Sequence, residues 1–590
     1  MKWLILGKGN MPPNSKLPIP NSKQGGDGLF IGLDVGGTYT DAVLLEKGQV
    51  RAWAKVPTRQ ELLTSLLEAF DKIMAGVHSD LIERVVLSTT VITNLIAEKK
   101  CDPVGLILSP GPGLDLKHYN YKTETCILSG AIDYRGREVM TLSAQEVDSA
   151  LARLASLDYR KVAVVGKFSS RNNKHEMEIL KKIRQANLDW QVELGHQVAG
   201  QLNFPRRVMS TLLTCATKDK YQSFTKSVVT ALENRGIKCP VFILKADGGT
   251  MPLATSLAAP VETIFSGPAA SILGVQALVP PGETAVVVDI GGTTSDLALI
   301  LSGQPLLSSK GADIDGQLTH VRALAVKSVP VGGDSVVERV GREIILLTER
   351  LGLPYCMGGP MATPTDALKV LGLTRLGDLK RAREAMQMLG GPLGMQTWEV
   401  AARVTMLVTN TITREINKMF ESWEQEPAYR VWEVLQKRKV RPNTVVGVGG
   451  AASGFLTQIA ASLDCYPVIP PYARVANAIG AAVARPTLQV SLRADTEQGT
   501  YSIQEEGYQG RIEDDSFNEE KALELARGWL RKRAEKYGVD DGLGEVEVTR
   551  KEVFNMVRNW VTRGKLIDVA VQSKRGILHY VGTGVDLSAK

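Results

Sequence analysis

The chain has 590 residues, 44% of them apolar and 23% charged. That is the balance of an ordinary globular protein and excludes extensive disorder, and no apolar run reaches the ~18 residues of a membrane span. The net charge of +7 is spread thinly, without the clustered basic face that nucleic-acid binding needs.

The first 28 residues are mostly proline, glycine, serine and lysine and read as a disordered tail. Their apolar piece, Trp3–Leu6, is too short for a signal-peptide core. Leu29–Leu33 begins a strand, Gly36-Gly37 breaks it, and Val43–Leu45 continues it. Apolar residues from Leu62 to Met74 recur at helical spacing and predict a helix over Arg59–Met74. Short strands are expected at Val85–Leu87 and Pro103–Leu108. Ser143 with Glu146 makes a capping box ahead of a helix. Lys161–Gly166 then reads as a strand and Asn173–Gln185 as a helix, and this alternation predicts an α/β fold.

The pattern begins again at Val241–Leu244, Ala285–Ile290 and Thr444–Val448, each strand running toward a glycine pair, with a helix over Trp398–Met419. From about residue 490 the chain is more charged, with a helix at Glu519–Tyr537. The expected divisions are a tail (1–28), two α/β domains (29–205 and 206–489) and a small α+β region (490–590). The six cysteines are well separated and form no C-x-x-C. They suit reduced thiols in a cytoplasmic protein, not a zinc knuckle or a disulfide scaffold.

An internal repeat joins the two halves. Asp34–Gln49 reads DVGGTYTDAVLLEKGQ, and 255 residues on, Asp289–Gln304 reads DIGGTTSDLALILSGQ, with eight of sixteen positions identical. Two related domains facing each other are the natural architecture. After a buried strand, D-x-G-G-T makes a turn with no side chain above it, whose successive amides can form an anion nest. The leading Asp34 and Asp289 can hold Mg²⁺ through its waters. One such turn is a weak signal; Gly36, Gly37 and Thr38 opposite Gly291, Gly292, Thr293 and Thr294 could grip a polyphosphate from both sides. Neither a P-loop nor a G-x-G-x-x-G strand–helix turn is present. A third turn, Gly447–Ser453, lacks the aspartate; its small Gly449, Gly450 and Ala451 would let a nucleoside approach the backbone. Ser266–Ala270 enters a helix, and Val475–Ala484 is a helix of alanine and glycine. Two such helices crossing between domains would make a hinge.

This order of turns and small-residue helices resembles the superfamily of acetate and sugar kinases, heat-shock chaperone ATPases and actin. Within it, Ile31–Leu45, Ser266–Val275 and Val288–Ile300 resemble the hydantoinase/oxoprolinase family, in its A-subunit type. Thr89–Asn94, Phe168-Ser169 with His175-Glu176, and Pro364–Ala367 with Val370–Gly372 add to the likeness, which covers roughly residues 29–485. The resemblance implies two actin-like (ribonuclease-H-like) domains around an ATP cleft. It implies an ATP-dependent hydrolase that activates a cyclic amide or ketone by phosphoryl transfer from Mg-ATP, working with a B-type subunit. Asp41, Asp289 and Asp34 are then the catalytic candidates, with Asp34 and Asp289 on the metal.

Two places depart from the family pattern. Leu87-Ser88 stands where the family usually has His-Gly, and Ala325–Ser328 where it usually has Asp-Ile-His-Thr. Lys327 could bind an anionic substrate or simply be solvated. Asp41 and Asp296 could hold metal, act as base or cap their own turns, and the family turn favours Asp41. Thr90 and Asn94 are expected either to line the cleft or to cap a helix. His175 is expected exposed on a charged helix; His78, His118, His196, His320 and His579 lie at no metal-ligand spacing. A regulatory ATPase acting on a partner and a small-molecule kinase are the alternative functions, and homo-oligomerisation stays open.

Overall fold

The computed structural model describes residues 28–116, 119–279, 284–425, 441–514, 516–537, 539, 544–558 and 561–582. The expected tail lies outside them but for its last residue, as does His118. No helix among the described residues is long and apolar enough to cross a membrane.

The first sheet is built on β1 (Leu29–Val35), β2 (Tyr39–Glu46), β3 (Gln49–Pro57) and β4 (Ile82–Thr89). β1 runs antiparallel to β2 and parallel to β4. Helix α1 (Leu62–Met74) starts three residues after the expected point and turns Leu66, Ala69, Phe70 and Ile73 onto this sheet. The strand Val241–Leu244 joins β4 in the same sheet, so the sheet draws on both sides of position 206. A parallel four-stranded sheet around Gly105–Ser109 and Lys161–Gly166 completes this half.

The repeat rebuilds the same unit. After helix α2 (Ser266–Leu278), β5 (Thr284–Ile290) pairs antiparallel with β6 (Ser295–Leu301) and parallel with β8 (Thr444–Val448). β7 (Val326–Val329) lies along β6. Helix α3 (Ala476–Val483) and α2 sit between the halves, in one apolar cluster with Val43 and Leu45 of β2 and Val287 of β5. The segment between β6 and β7 reaches back, burying Ala312, Ile314, Val321 and Ala323 in the core of the first sheet. Residues from 489 onward form a five-stranded antiparallel sheet backed by the helix Glu519–Tyr537, an α+β region. Ser143 caps its helix, but Glu146 does not close the capping box. Its carboxylate accepts from the Ser129 amide and hydroxyl, each at 2.8 Å.

Candidate functional site

The two halves of the repeat fold alike to the level of single hydrogen bonds. The Gly36 amide donates to the Tyr39 carbonyl at 3.1 Å, and the Gly291 amide to the Thr294 carbonyl at 3.0 Å. Asp34 faces Asp41 across β1 and β2, as Asp289 faces Asp296 across β5 and β6. All four carboxylates line one cavity of about 2270 Å³. Gly36, Gly37 and Thr38 stand on its wall, with Gly291, Gly292, Thr293 and Thr294 and with Gly449, Gly450 and Ala451. The first glycine amide of each turn is spent closing the hairpin. The amides of Gly37, Thr38, Gly292 and Thr293 donate to no protein acceptor among the described residues.

The glycines differ in what they do. A Cβ on Gly37, Gly267 or Gly450 would meet no atom within 4 Å, so the backbone there is bare toward the cavity. Gly449 has φ +86°, and a Cβ on it would collide with Asp289 Oδ1 and the Ile290 carbonyl. Glycine is needed there for both conformation and closeness. The loop after β7 braces the second turn: the amides of Gly333 and Asp334 donate to the carbonyls of Gly291 (2.9 Å) and Gly292 (2.7 Å).

Desolvation dominates the electrostatics. Burial raises the Asp34 and Asp289 carboxyls above the usual carboxylate range. Burial pushes Asp41 up to about 7 although Lys55, opposite it on β3, binds both its oxygens at 2.8 Å. Asp296 is pushed up to about 6, by burial and then by Asp289 nearby. Asn477 Nδ2 donates to Asp34 Oδ2 at 3.2 Å, and Ser271 Oγ donates to Asp289 Oδ2 at 2.6 Å. Asp34 Oδ1 is buried with no hydrogen-bond partner among the described residues. A buried, unpartnered carboxylate oxygen beside further carboxylates suits a hard divalent cation, and the bare glycine turns with free amides suit phosphate oxygens. The residues present thus fit a divalent cation beside a polyphosphate.

Lys55, Ser271, Asn477 and Asp334 were not singled out from sequence. For Asn477 a signal exists: an amide in an alanine-glycine helix needs a buried partner. Thr90 and Asn94 line the cavity, and neither caps by its side chain: Thr90 Oγ1 donates to the Val35 carbonyl at 3.1 Å. Lys327 is exposed on the cavity wall. Ser88 is buried, its Oγ 3.4 Å from Ser266 Oγ, and is not among the lining residues.

His175 is a correction. It is 2% exposed, with Nε2 at 2.9 Å from Glu138 Oε1. Ile179 and Ile183 follow it on the buried face of its helix, a spacing of four that betrays the burial. Its neighbour Glu176 accepts from the amides of Gly166 (2.8 Å) and His196 (3.0 Å). This family motif is therefore structural and lies away from the cavity. No cluster of three or more metal-ligating side chains of the His, Cys, Asp and Glu kind occurs among the described residues.

Two related α/β units facing each other across a cleft, with an α+β region appended, define the paired actin-like class. The chain belongs to the hydantoinase/oxoprolinase family: the family profile matches residues 207–490 and that of its N-terminal region residues 30–187. It is 23% identical over 487 residues to the caprolactamase subunit alpha of Pseudomonas jessenii, covering 75% of this chain and 68% of that one. It is 25% identical over 445 residues to the acetophenone carboxylase gamma subunit of Aromatoleum aromaticum; there it covers 66% of this chain and spans only 60% of the relative. Two solved structures share the fold. The ATP-dependent caprolactamase of Pseudomonas jessenii superposes with TM-score 0.68 at 21% identity, covering 92% of this chain and 87% of that one. Nucleotide-free acetone carboxylase gives TM-score 0.67 at 18% identity, covering 93% and 87%.

Proposed function

We propose that the chain binds Mg-ATP between its two actin-like domains and activates the carbonyl of a cyclic amide or ketone, as a hydrolase of the hydantoinase/oxoprolinase type. The observation that carries this is the convergence of both D-x-G-G-T turns on one cavity, with Asp34 Oδ1 unpartnered among them. Bound there, Mg-ATP would supply the phosphoryl group that makes a carbonyl oxygen a leaving group. The free amides of Gly37, Thr38, Gly292 and Thr293 hold phosphate oxygens, and Asp34 and Asp289 hold the metal's waters. Asp41, titrating near neutrality, exchanges a proton with the substrate, while Lys55 fixes its orientation. Gly449, Gly450 and Ala451 leave room for the nucleoside. The cavity exceeds the ~300–1,000 Å³ of a pocket for one small ligand, which supports a carbonyl substrate beside the nucleotide. Closure of the cleft would exclude water.

A second reading has support of its own. Where the family usually places a histidine before Thr89, this chain has Leu87 and Ser88, both buried and neither lining the cavity. A regulatory ATPase whose partner protein performs the chemistry would tolerate that loss. The test is phosphate release by the purified chain with Mg-ATP, alone and against lactams, hydantoins, oxoproline and ketones. Stimulation by one class, abolished by Asp289→Ala, is the expected result. Binding of ATP without stimulation transfers the weight to the partner reading, and no binding refutes both.

A further inference from the structure

Asp34 and Asp289 end strands of different sheets, yet a run of hydrogen bonds joins them through two helices. Asn477, on α3, donates Nδ2 to Asp34 Oδ2 at 3.2 Å. Its Oδ1 lies 2.8 Å from Ser271 Oγ on α2, whose single hydroxyl proton is shared between that oxygen and Asp289 Oδ2 at 2.6 Å. The two helices cross with backbone against backbone. A Cβ on Gly274 would collide with the Ala476 carbonyl, and one on Gly480 with the Ala270 carbonyl. α3 lies on β1 in the same way, because a Cβ on Gly32 would collide with the Ala478 carbonyl.

Apolar packing alone does not call for a serine and an asparagine here. Alanine and aliphatic side chains of both helices pack around them, and a buried polar side chain costs free energy unless it is bonded. Ser271 Oγ also lies 3.4 Å from the Gly267 carbonyl one turn back, a longer contact than those to Asn477 and Asp289. α3 lies on β1, while α2 touches both sheets: Ser266 Oγ at its start donates to the Thr89 carbonyl of β4 at 3.0 Å, and Ser271 reaches Asp289 of β5. The run from Asp34 through Asn477 and Ser271 to Asp289 therefore spans the two sheets, and a hydrogen bond weakens steeply with distance and angle.

We propose that Ser271 and Asn477 are positioning residues, forming a hydrogen-bonded bridge over the helix crossing that holds Asp34 and Asp289 in register and makes cleft closure one event for both half-sites. The role in turnover rests on the nucleotide reading above; the bridge itself does not.

The test uses the full chain with Ser271→Ala, Asn477→Ala and the double variant. Without nucleotide, the urea-unfolding midpoints of the singles should not add: the double should lose little more than the larger single loss. With Mg-ATP, the variants should keep KM within about threefold and lose kcat about tenfold or more, the pattern of an interaction used beyond ground-state binding. The fall in radius of gyration on adding Mg-ADP, read by small-angle X-ray scattering, should shrink or vanish. Additive midpoints with unchanged compaction would overturn the bridge. If wild-type chain binds no nucleotide, the functional reading fails, and the midpoints still decide the bridge. Should Asn477→Ala fail to fold, Asn477→Leu fills the volume without the hydrogen bonds and takes its place.

Discussion

Asp41 and Asp296 occupy equivalent places in the repeat, but among the described residues only Asp41 has a cation paired with it. Removing that cation with Lys55→Met should raise the Asp41 carboxyl further. The acid limb of ATP turnover against pH, expected near 7, should move up by about one pH unit in the variant. Asp296 makes a different prediction. Its folded-state value of about 6 lies above the ordinary 3.8, so between these values the folded chain binds more protons than the unfolded one. Stability therefore falls as pH rises through that window. Asp296→Asn removes the term. It should raise unfolding stability at pH 7.5 by up to about 3 kcal/mol and change it little at pH 4, as read by urea denaturation at both. Both aspartates could be picked out in the sequence because they end a repeated motif. Lys55 could not, since it reaches Asp41 only through the register of β3 on β2. The charges around His175 predict exposure, and the four-residue spacing to Ile179 and Ile183, which places it on the buried face, is the stronger signal.

At the scale of elements, two adjacent glycines in the third turn should part company. Gly449→Ala meets a left-handed φ and the Asp289 carboxylate, and should cost about 2 kcal/mol or more of unfolding free energy. Gly450→Ala has open space around it and should change stability by less than about 0.5 kcal/mol. It should still weaken nucleotide binding in a titration, because the added methyl projects into the proposed nucleoside place. The sequence showed that glycine matters in this turn but not which glycine, because φ and neighbours belong to the folded chain. Elements with strong local periodicity were legible: Lys161–Gly166, Val241–Leu244 and Glu519–Tyr537 have the expected limits. The capping box at Ser143 was half legible, since Ser129, a partner from outside the helix, takes the Glu146 carboxylate.

Across the whole molecule, the site exists only because two sheets are held together. The C-terminal segment adds to this: the amides of Leu578, Val581 and Gly582 donate to the carbonyls of Val483 on α3, Ala277 on α2 and Gly48 beside β2. Deleting residues 576–590 should therefore lower the melting temperature by several degrees and loosen the helix crossing to protease, checked by calorimetry and timed digestion. Mg-ATP should act in the opposite sense. At a hundredfold excess over its Kd it should add about 2.7 kcal/mol, an effect lost with EDTA and in Asp34→Ala. The sequence by itself determined the α/β class, the duplication and the three glycine turns, because each is written in local pattern or in the likeness of two stretches of chain. Only the tertiary structure decided that Val241–Leu244 joins the first sheet, that residues 312–323 return to the first core, and that Ser271 and Asn477 stand between the turn carboxylates. Strand order and helix crossing bring together residues hundreds of positions apart, and no local spacing records that.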